Sequence, residues 1–396
     1  MHQRQLDNAL KIIALYLEKA GGQNRYVPLH IFLQRYYREN KQMGSRDRKI
    51  NSTLIYNYFR LGNILSSFEP IHRMAIACFL CENKSSEILN LVFSSLDWFS
   101  EDNLSLSVPE KVPLLQKKYT SFNLEDIFPF KADLSEGIDK NKFYYSFFLR
   151  PRLWLRVKRG YETVVTDELK AKDIPFEISS ERPQTISLEN STVLDQLESR
   201  RKGLFEVQDL SSQLTGEYFY PSPNEYWWDC CAGSGGKSLM LLDMEPNIKL
   251  LASDIRPQII ENLKSRFKIA GIKNYQAGVF DFSVLHSLPG KFDGIIVDAP
   301  CSGSGTWSRT PEMLTLFNVK EIQDYQQKQK KIASAVLPAL KSGKPLIYIT
   351  CSVFKAENED VVNYLNENYQ VKVEQMQLIK GYERKADNLY VGRLIR

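Results

Sequence analysis

The chain has 396 residues, 43% of them hydrophobic and 25% charged, enough for two or three domains with proper cores. Its net charge of +5 permits a nucleic-acid partner without arguing for one, because clustering of basic groups matters more than their total. The start is polar with no signal-peptide hydrophobic stretch, no apolar run is long enough to span a bilayer, and six cysteines without a repeating framework suit a reducing cytoplasm.

Residues 1 to about 100 read as helices. Leu6, Leu10, Ile13 and Leu17 make one apolar stripe that Gly21-Gly22 ends. Pro28 opens a second helix, Ser45 a third with Ile50, Leu54, Tyr58 and Leu61 inward, and Pro70 a fourth; a fifth covers 87–99. Cys78 and Cys81 fall inside the fourth helix with no second pair or histidine partner, so no metal site is expected. Residues 101–140, richer in serine, proline and charge, read as a connector.

The stretch 140–159 holds Lys140, Lys142, Arg150, Arg152, Arg156, Lys158 and Arg159 and no acid, interleaved with Tyr144, Tyr145, Phe147, Phe148 and Trp154. Cations to neutralise phosphates and aromatics to stack on unpaired bases are what single-stranded RNA binding requires. The same aromatics would equally serve a core. A helix and short strands follow to about 197.

From residue 206 strands and helices alternate. Strands are expected at 226–231, 249–254, 275–281, 292–298 and 345–350, with a terminal pair at 371–378 and 388–396. Helices are expected at 238–244, 256–270, 319–340 and 358–368. Alternation of this kind makes a mostly parallel sheet covered on both faces. The first strand runs into Asp229-Cys230-Cys231-Ala232-Gly233-Ser234-Gly235-Gly236-Lys237, a strand, glycine-rich loop and helix in the order that puts a ligand at a helix N-terminus. The loop fails the dinucleotide spacing G-x-G-x-x-G. It ends like a phosphate-binding loop, in Gly236-Lys237-Ser238, but Cys231 stands where that loop needs its first glycine. S-adenosylmethionine (SAM) is the remaining candidate: Asp254 ends the next strand, where an acid binds ribose hydroxyls, and Asp281 ends the third, placed for an adenine amino group beside Phe282. Two further strand ends carry Asp298-Ala299-Pro300-Cys301-Ser302-Gly303 and Thr350-Cys351-Ser352. In an open α/β sheet such ends line one crevice.

These three motifs, Asp229 to Lys237, Asp298 to Gly303 and Thr350 to Ser352, resemble the RNA cytosine-C5 methyltransferases, the family of the bacterial RsmB-type ribosomal RNA enzymes and the eukaryotic Nop/NSUN enzymes. The resemblance is specific over about 150–359, where Arg150 to Val157 and Gln208 to Gln213 also match family segments. It implies an α/β fold: a Rossmann-like SAM-dependent domain at 206–396, after an all-α NusB-like domain with its connector at 1–135 and a small α+β RNA-binding module at 136–205. It implies SAM held by Cys231, Ala232, Gly233, Ser234, Gly235, Gly236, Lys237, Asp254, Asp281 and Asp298, and RNA held by Arg150, Arg152, Trp154, Arg156 and Lys158. Arg46, Arg48, Lys49 and Arg60 are further candidates for phosphate contact. A cytoplasmic monomer with RNA as its partner is expected, with neither metal nor membrane.

Cytosine C5 is a weak nucleophile, and adding a thiolate to C6 makes it enamine-like. The step needs a low-pKa thiol, an acid near N3 and a base turned out of its stack. By the resemblance Cys351 is the nucleophile, Cys301 the product-release residue and Asp298 the contact to N3 and the amino group. Pro300-Cys301 looks instead like the nucleophile motif of the DNA enzymes, and the residues alone do not separate the two thiols. Ribosomal RNA is the expected substrate, with transfer RNA as the alternative. Two other readings are nucleotide hydrolysis on Gly236-Lys237-Ser238 and a non-catalytic RNA-binding or assembly protein. The turn 387–392 departs from the glycine- and phenylalanine-containing turn expected there.

Overall fold

The computed structural model describes residues 2–22, 27–180, 182–281 and 290–396. It divides into two compact units: Met1–Lys131 with Asp139–Arg150 and Trp307–Asn318, and Ala132–Ile138 with Pro151–Thr306 and Val319–Arg396.

The first unit is helical. Its helices His2–Gly22, Leu29–Glu39, Ser45–Arg60, Pro70–Cys81 and Glu87–Phe93 follow the apolar stripes of the sequence, and the first runs through Gly21-Gly22 instead of stopping before them. Two later stretches complete its core. Phe143, Phe147 and Phe148 are buried, with Phe143 and Phe147 against Phe128, so most aromatics of 140–150 are packing groups, not stacking platforms. Trp307 packs on Phe128, Phe130 and Phe317, and the Glu312 carboxylate accepts the Leu29 N–H at 2.9 Å. Arg60 is buried and donates to the carbonyls of Phe147 and Leu149. It is a structural cation, and the expected phosphate contact at Arg60 is corrected accordingly. The Arg48 Nε donates to the Met43 carbonyl, while Arg46 and Lys49 are exposed.

The second unit holds two sheets. The smaller is antiparallel, in the order β2(Phe176–Ile178), β3(Thr185–Leu188), β1(Leu153–Val157), β4(Phe205–Val207). The larger has seven strands: β5(Tyr226–Asp229), β6(Lys249–Asp254), β7(Gln276–Val279), β8(Gly294–Asp298), β9(Pro345–Thr350), β10(Lys372–Ile379) and β11(Leu389–Ile395), ordered β10-β11-β9-β8-β5-β6-β7. β5 to β9 are parallel, and β11 inserts antiparallel between β9 and β10. Every residue of β9 is buried, as a central strand covered on both faces requires. Chain order reverses at β5, flanked by β6 and β8, and this switch point sets the ligand crevice at the carboxyl ends of the strands.

Candidate active site

The glycine-rich loop leaves β5 and enters the helix Gly236–Met244 through Gly235, at φ +85°. A Cβ there would lie 2.7 Å from the Phe267 ring, so both backbone and packing demand glycine. No side chain caps the helix. The Gly233 N–H donates to Asp254 at 3.0 Å and Ala232 N–H to the Ser253 carbonyl at 2.8 Å, which tie the loop to β6. Ser234 is held through its Oγ and carbonyl by Arg266. Cys231 is partly buried and free.

Asp254, at the end of β6, is buried and accepts four hydrogen bonds: Oδ1 from Arg256 N and Nε, Oδ2 from Gly233 N and Arg256 Nη2. Burial pushes its carboxyl up, but these donors outweigh it and its pKa lies below the ordinary value. Asp281 is half-buried just beyond β7; Phe282 lies outside the described residues.

Asp229 ends β5 fully buried. Its Oδ2 accepts from Ser238 Oγ at 2.7 Å, and its Oδ1 has no hydrogen-bond partner. Burial lifts its carboxyl to about 7, against the Ser238 hydrogen bond and with help from the Asp298 charge. Between the unfolded value of 3.8 and about 7 the folded chain binds the extra proton, so stability falls as pH rises through that window. Asp229→Asn should therefore be more stable than the parent at pH 8, by roughly 2–4 kcal/mol, with the gap closing below pH 4. Urea unfolding across pH checks this; a gap independent of pH contradicts it.

At the ends of β8 and β9 the two cysteine motifs meet. Cys301 Sγ and Cys351 Sγ are 3.2 Å apart, both partly buried. The hydrogen bond with Cys351, and then burial, push the Cys301 thiol well above its ordinary pKa. Beside them Lys237 Nζ donates to Asp298 Oδ2 at 2.6 Å. Burial would push the Lys237 ammonium down, but Asp298 outweighs it, with Asp229 and Cys351 adding, and its pKa is raised. Gly305 closes the floor: its N–H donates to the Cys351 carbonyl and its carbonyl accepts from Asn388 N, both at 2.9 Å. A Cβ on Gly305 would stand 2.0 Å from the Asn388 carbonyl oxygen, so the divergent turn 387–392 is docked directly on the cysteine loop.

Sequence reasoning missed the groups that hold these loops. Ser302, Ser304 and Ser352 form a buried hydroxyl cluster, and Glu357, Asn358 and Gln329 tie it down. Their signal was weak: Lys355, Glu357, Glu359 and Asp360 read as an ordinary charged helix start.

Three of the residues expected to hold RNA, Arg150, Arg152 and Arg156, pair with acids of the chain. Arg150 is in the helical unit and pairs with Glu82. Arg152, on the approach to β1, pairs with Glu177 and Glu189. Arg156 is only 8% exposed, donating to Gln208 at 2.6 Å and pairing with Asp243. It joins the small sheet to the helix Gly236–Met244. Trp154 is half-buried, its indole N–H directed at the Lys385 carbonyl at 3.5 Å, and Lys158 is half-buried. Among the described residues no group of His, Cys, Asp and Glu could hold a metal ion, and no helix is long and apolar enough to cross a membrane.

Residues 217–393 match the family model described as 16S rRNA methyltransferase RsmB/F. Ribosomal RNA small subunit methyltransferase B of Escherichia coli O7:K1 (strain IAI39 / ExPEC) is 33% identical over 215 residues, 53% of this chain and 49% of that protein. Its namesake from Salmonella heidelberg (strain SL476) is 32% identical over 219 residues, 54% of this chain and 50% of that protein. The chain spans about half the length of the curated relatives it matches. In fold it is similar to crystalline PH0851, at TM-score 0.70 and 20% identity over 97% of each chain. NSun6 from Pyrococcus horikoshii, solved with SFG, gives 0.59 and 17% over 65% of this chain and 94% of its own. Over residues 217–393 the chain is similar to the RsmB/F methyltransferase family.

Proposed function

We propose that the chain is a SAM-dependent RNA methyltransferase that forms 5-methylcytosine, with small-subunit ribosomal RNA as substrate. The observation that carries this is the pair of thiols at the ends of β8 and β9, 3.2 Å apart, beside the Lys237–Asp298 ion pair and across from the glycine loop. A protein that only binds RNA has no need of that pair.

The loop fits a SAM-sized ligand. A Cβ at Gly233 or Gly236 would meet nothing within 4 Å, so the backbone there faces open space, and the helix behind it starts uncapped, favouring a carboxylate. Gly233, Gly235, Gly236 and the helix start would take the methionyl end, Asp254 the ribose and Asp281 the adenine. When bound, SAM supplies an electrophilic methyl group. The Cys351 thiolate would add to cytosine C6 and be eliminated again once C5 has gained the methyl group and lost its proton, Asp298 would lie against N3 and the amino group, and Lys237 would keep Asp298 in place and favour the thiolate. Cys301 serves the release of the product. The small sheet offers Arg152, Trp154 and Lys158 to RNA; by itself the helical unit, read as NusB-like, offers Arg46 and Lys49.

Titration calorimetry with SAM and with ATP tests the cofactor: SAM binding without ATP binding supports the reading, and ATP binding lost in Lys237→Ala overturns it for nucleotide hydrolysis. Methyl incorporation into ribosomal against transfer RNA then decides the substrate. A carboxylate has about four lone-pair sites, and Asp254 has all of them filled, three by Arg256. Ribose hydroxyls must displace the Arg256 guanidinium, whose side chain is 61% exposed and so releases cheaply. Arg256→Ala should tighten SAM binding about two- to five-fold, the worth of an exposed ion pair; weaker binding would mean that Arg256 holds the ligand itself.

A further inference from the structure

Between the two cysteine loops lies a carboxylate that the chemistry above does not use. Glu357 is fully buried. Its Oε2 accepts from Ser302 N at 2.8 Å and Gln329 Nε2 at 2.9 Å, and its Oε1 from Ser352 Oγ at 2.6 Å. Ser302 follows Cys301 and Ser352 follows Cys351, so one carboxylate grips the residue after each thiol. Gln329 Nε2 also donates to the Pro300 carbonyl at 3.0 Å, on the other side of Cys301. The Gln329 Oε1 is buried without a hydrogen-bond partner, a cost that a side chain kept only for packing need not carry. The neighbouring Asn358 bonds Thr350 Oγ1 and the Ser352 carbonyl, which fixes Cys351 from its other side.

We infer that Glu357, braced by Gln329, is a positioning residue that sets the separation of the Cys301 and Cys351 sulfurs. The inference rests on the proposed sharing of one reaction between the two thiols. A buried carboxylate is tolerated only where donors satisfy it. Here both cysteine loops supply those donors, so neither loop can shift without the group that holds the other. An amide keeps one accepting oxygen and adds two donors, so Glu357→Gln faces three existing donors with too few acceptors. Gln329→Ala keeps the carboxylate and removes only the brace.

Thiol spacing is readable without RNA. Diamide, an azo oxidant, takes the two hydrogens of a neighbouring thiol pair, leaving a disulfide and the reduced hydrazine. Peptide mass spectrometry of the full chain follows the Cys301–Cys351 disulfide with time. The expected result is formation slowed about ten-fold or more in Glu357→Gln and less in Gln329→Ala, with kcat for methyl transfer falling alongside, since sub-ångström misplacement of reacting groups is costly. KM for RNA and the affinity for SAM should change by less than about two-fold. Disulfide formation at the parental rate in Glu357→Gln overturns the inference whatever happens to methyl transfer. If that variant does not fold, a parental rate in Gln329→Ala overturns it. If the parent methylates no RNA, the functional reading fails while the disulfide rates still decide the positioning role.

Discussion

Replacing Cys351 by alanine is expected to lower methyl transfer on the order of 10³-fold or more and to remove every protein–RNA adduct that survives denaturation. Cys301→Ala should do the opposite to the adduct: addition and methyl transfer proceed, and a methylated adduct accumulates. The geometry alone is nearly symmetric, since both sulfurs sit at the ends of neighbouring parallel strands and touch each other. The Cys301 thiol is pushed well above its ordinary pKa, first by its bond with Cys351 and then by burial, but that bond is shared by both sulfurs, so the assignment of Cys351 as nucleophile rests on the family resemblance. Lys237 feels the Cys351 sulfur directly, which places a cation near the thiol assigned to addition. Denaturing gels with radiolabelled RNA read the adducts, and nucleoside digests read the methyl group. Swapped phenotypes would make Cys301 the nucleophile, as in the DNA enzymes.

Lys237→Met is the second large effect. Its side chain is only 9% exposed and its partner Asp298 is 34% exposed. Removing the cation leaves the carboxylate uncompensated next to the thiols. Loss of one partner of a fully buried pair costs about 3–5 kcal/mol; with Asp298 partly in water, about 2–3 kcal/mol of stability is the expected loss. The effect on rate should be larger, about 100-fold or more, because a fixed charge aimed at the reacting groups is lost. Single-turnover methyl transfer at saturating SAM, with urea unfolding alongside, separates the two. A variant less stable but as fast as the parent would make the ion pair purely structural.

The large sheet was legible because its strands are short, apolar and separated by amphipathic helices, a pattern that admits little besides a parallel, doubly covered sheet. The candidate site was legible in its placement: Asp254, Asp298, Cys301 and Cys351 all lie at or just past the ends of β6, β8 and β9. Basic residues were harder to read. Arg156, in a run of cations, and Arg60, at a helix end, read as RNA candidates, yet each is buried on acceptors far away in sequence. Only the tertiary fold brings Asp243 to Arg156. Glu357 failed in the other direction, since a buried acid and an exposed one look alike in a charged turn, and the donors that justify its burial come from loops about 5 and 55 residues away. The segment 307–318 lies between β8 and the helix Glu321–Val336, yet it packs in the helical unit, and nothing in its composition announces that.

The most direct measurement is nucleoside mass spectrometry of unmodified small-subunit ribosomal RNA after incubation with the full chain and methyl-labelled SAM. The account predicts label in 5-methylcytidine and in no other nucleoside. Label in another base, or on ribose, with the two cysteines replaceable by alanine at no cost in rate, would contradict it.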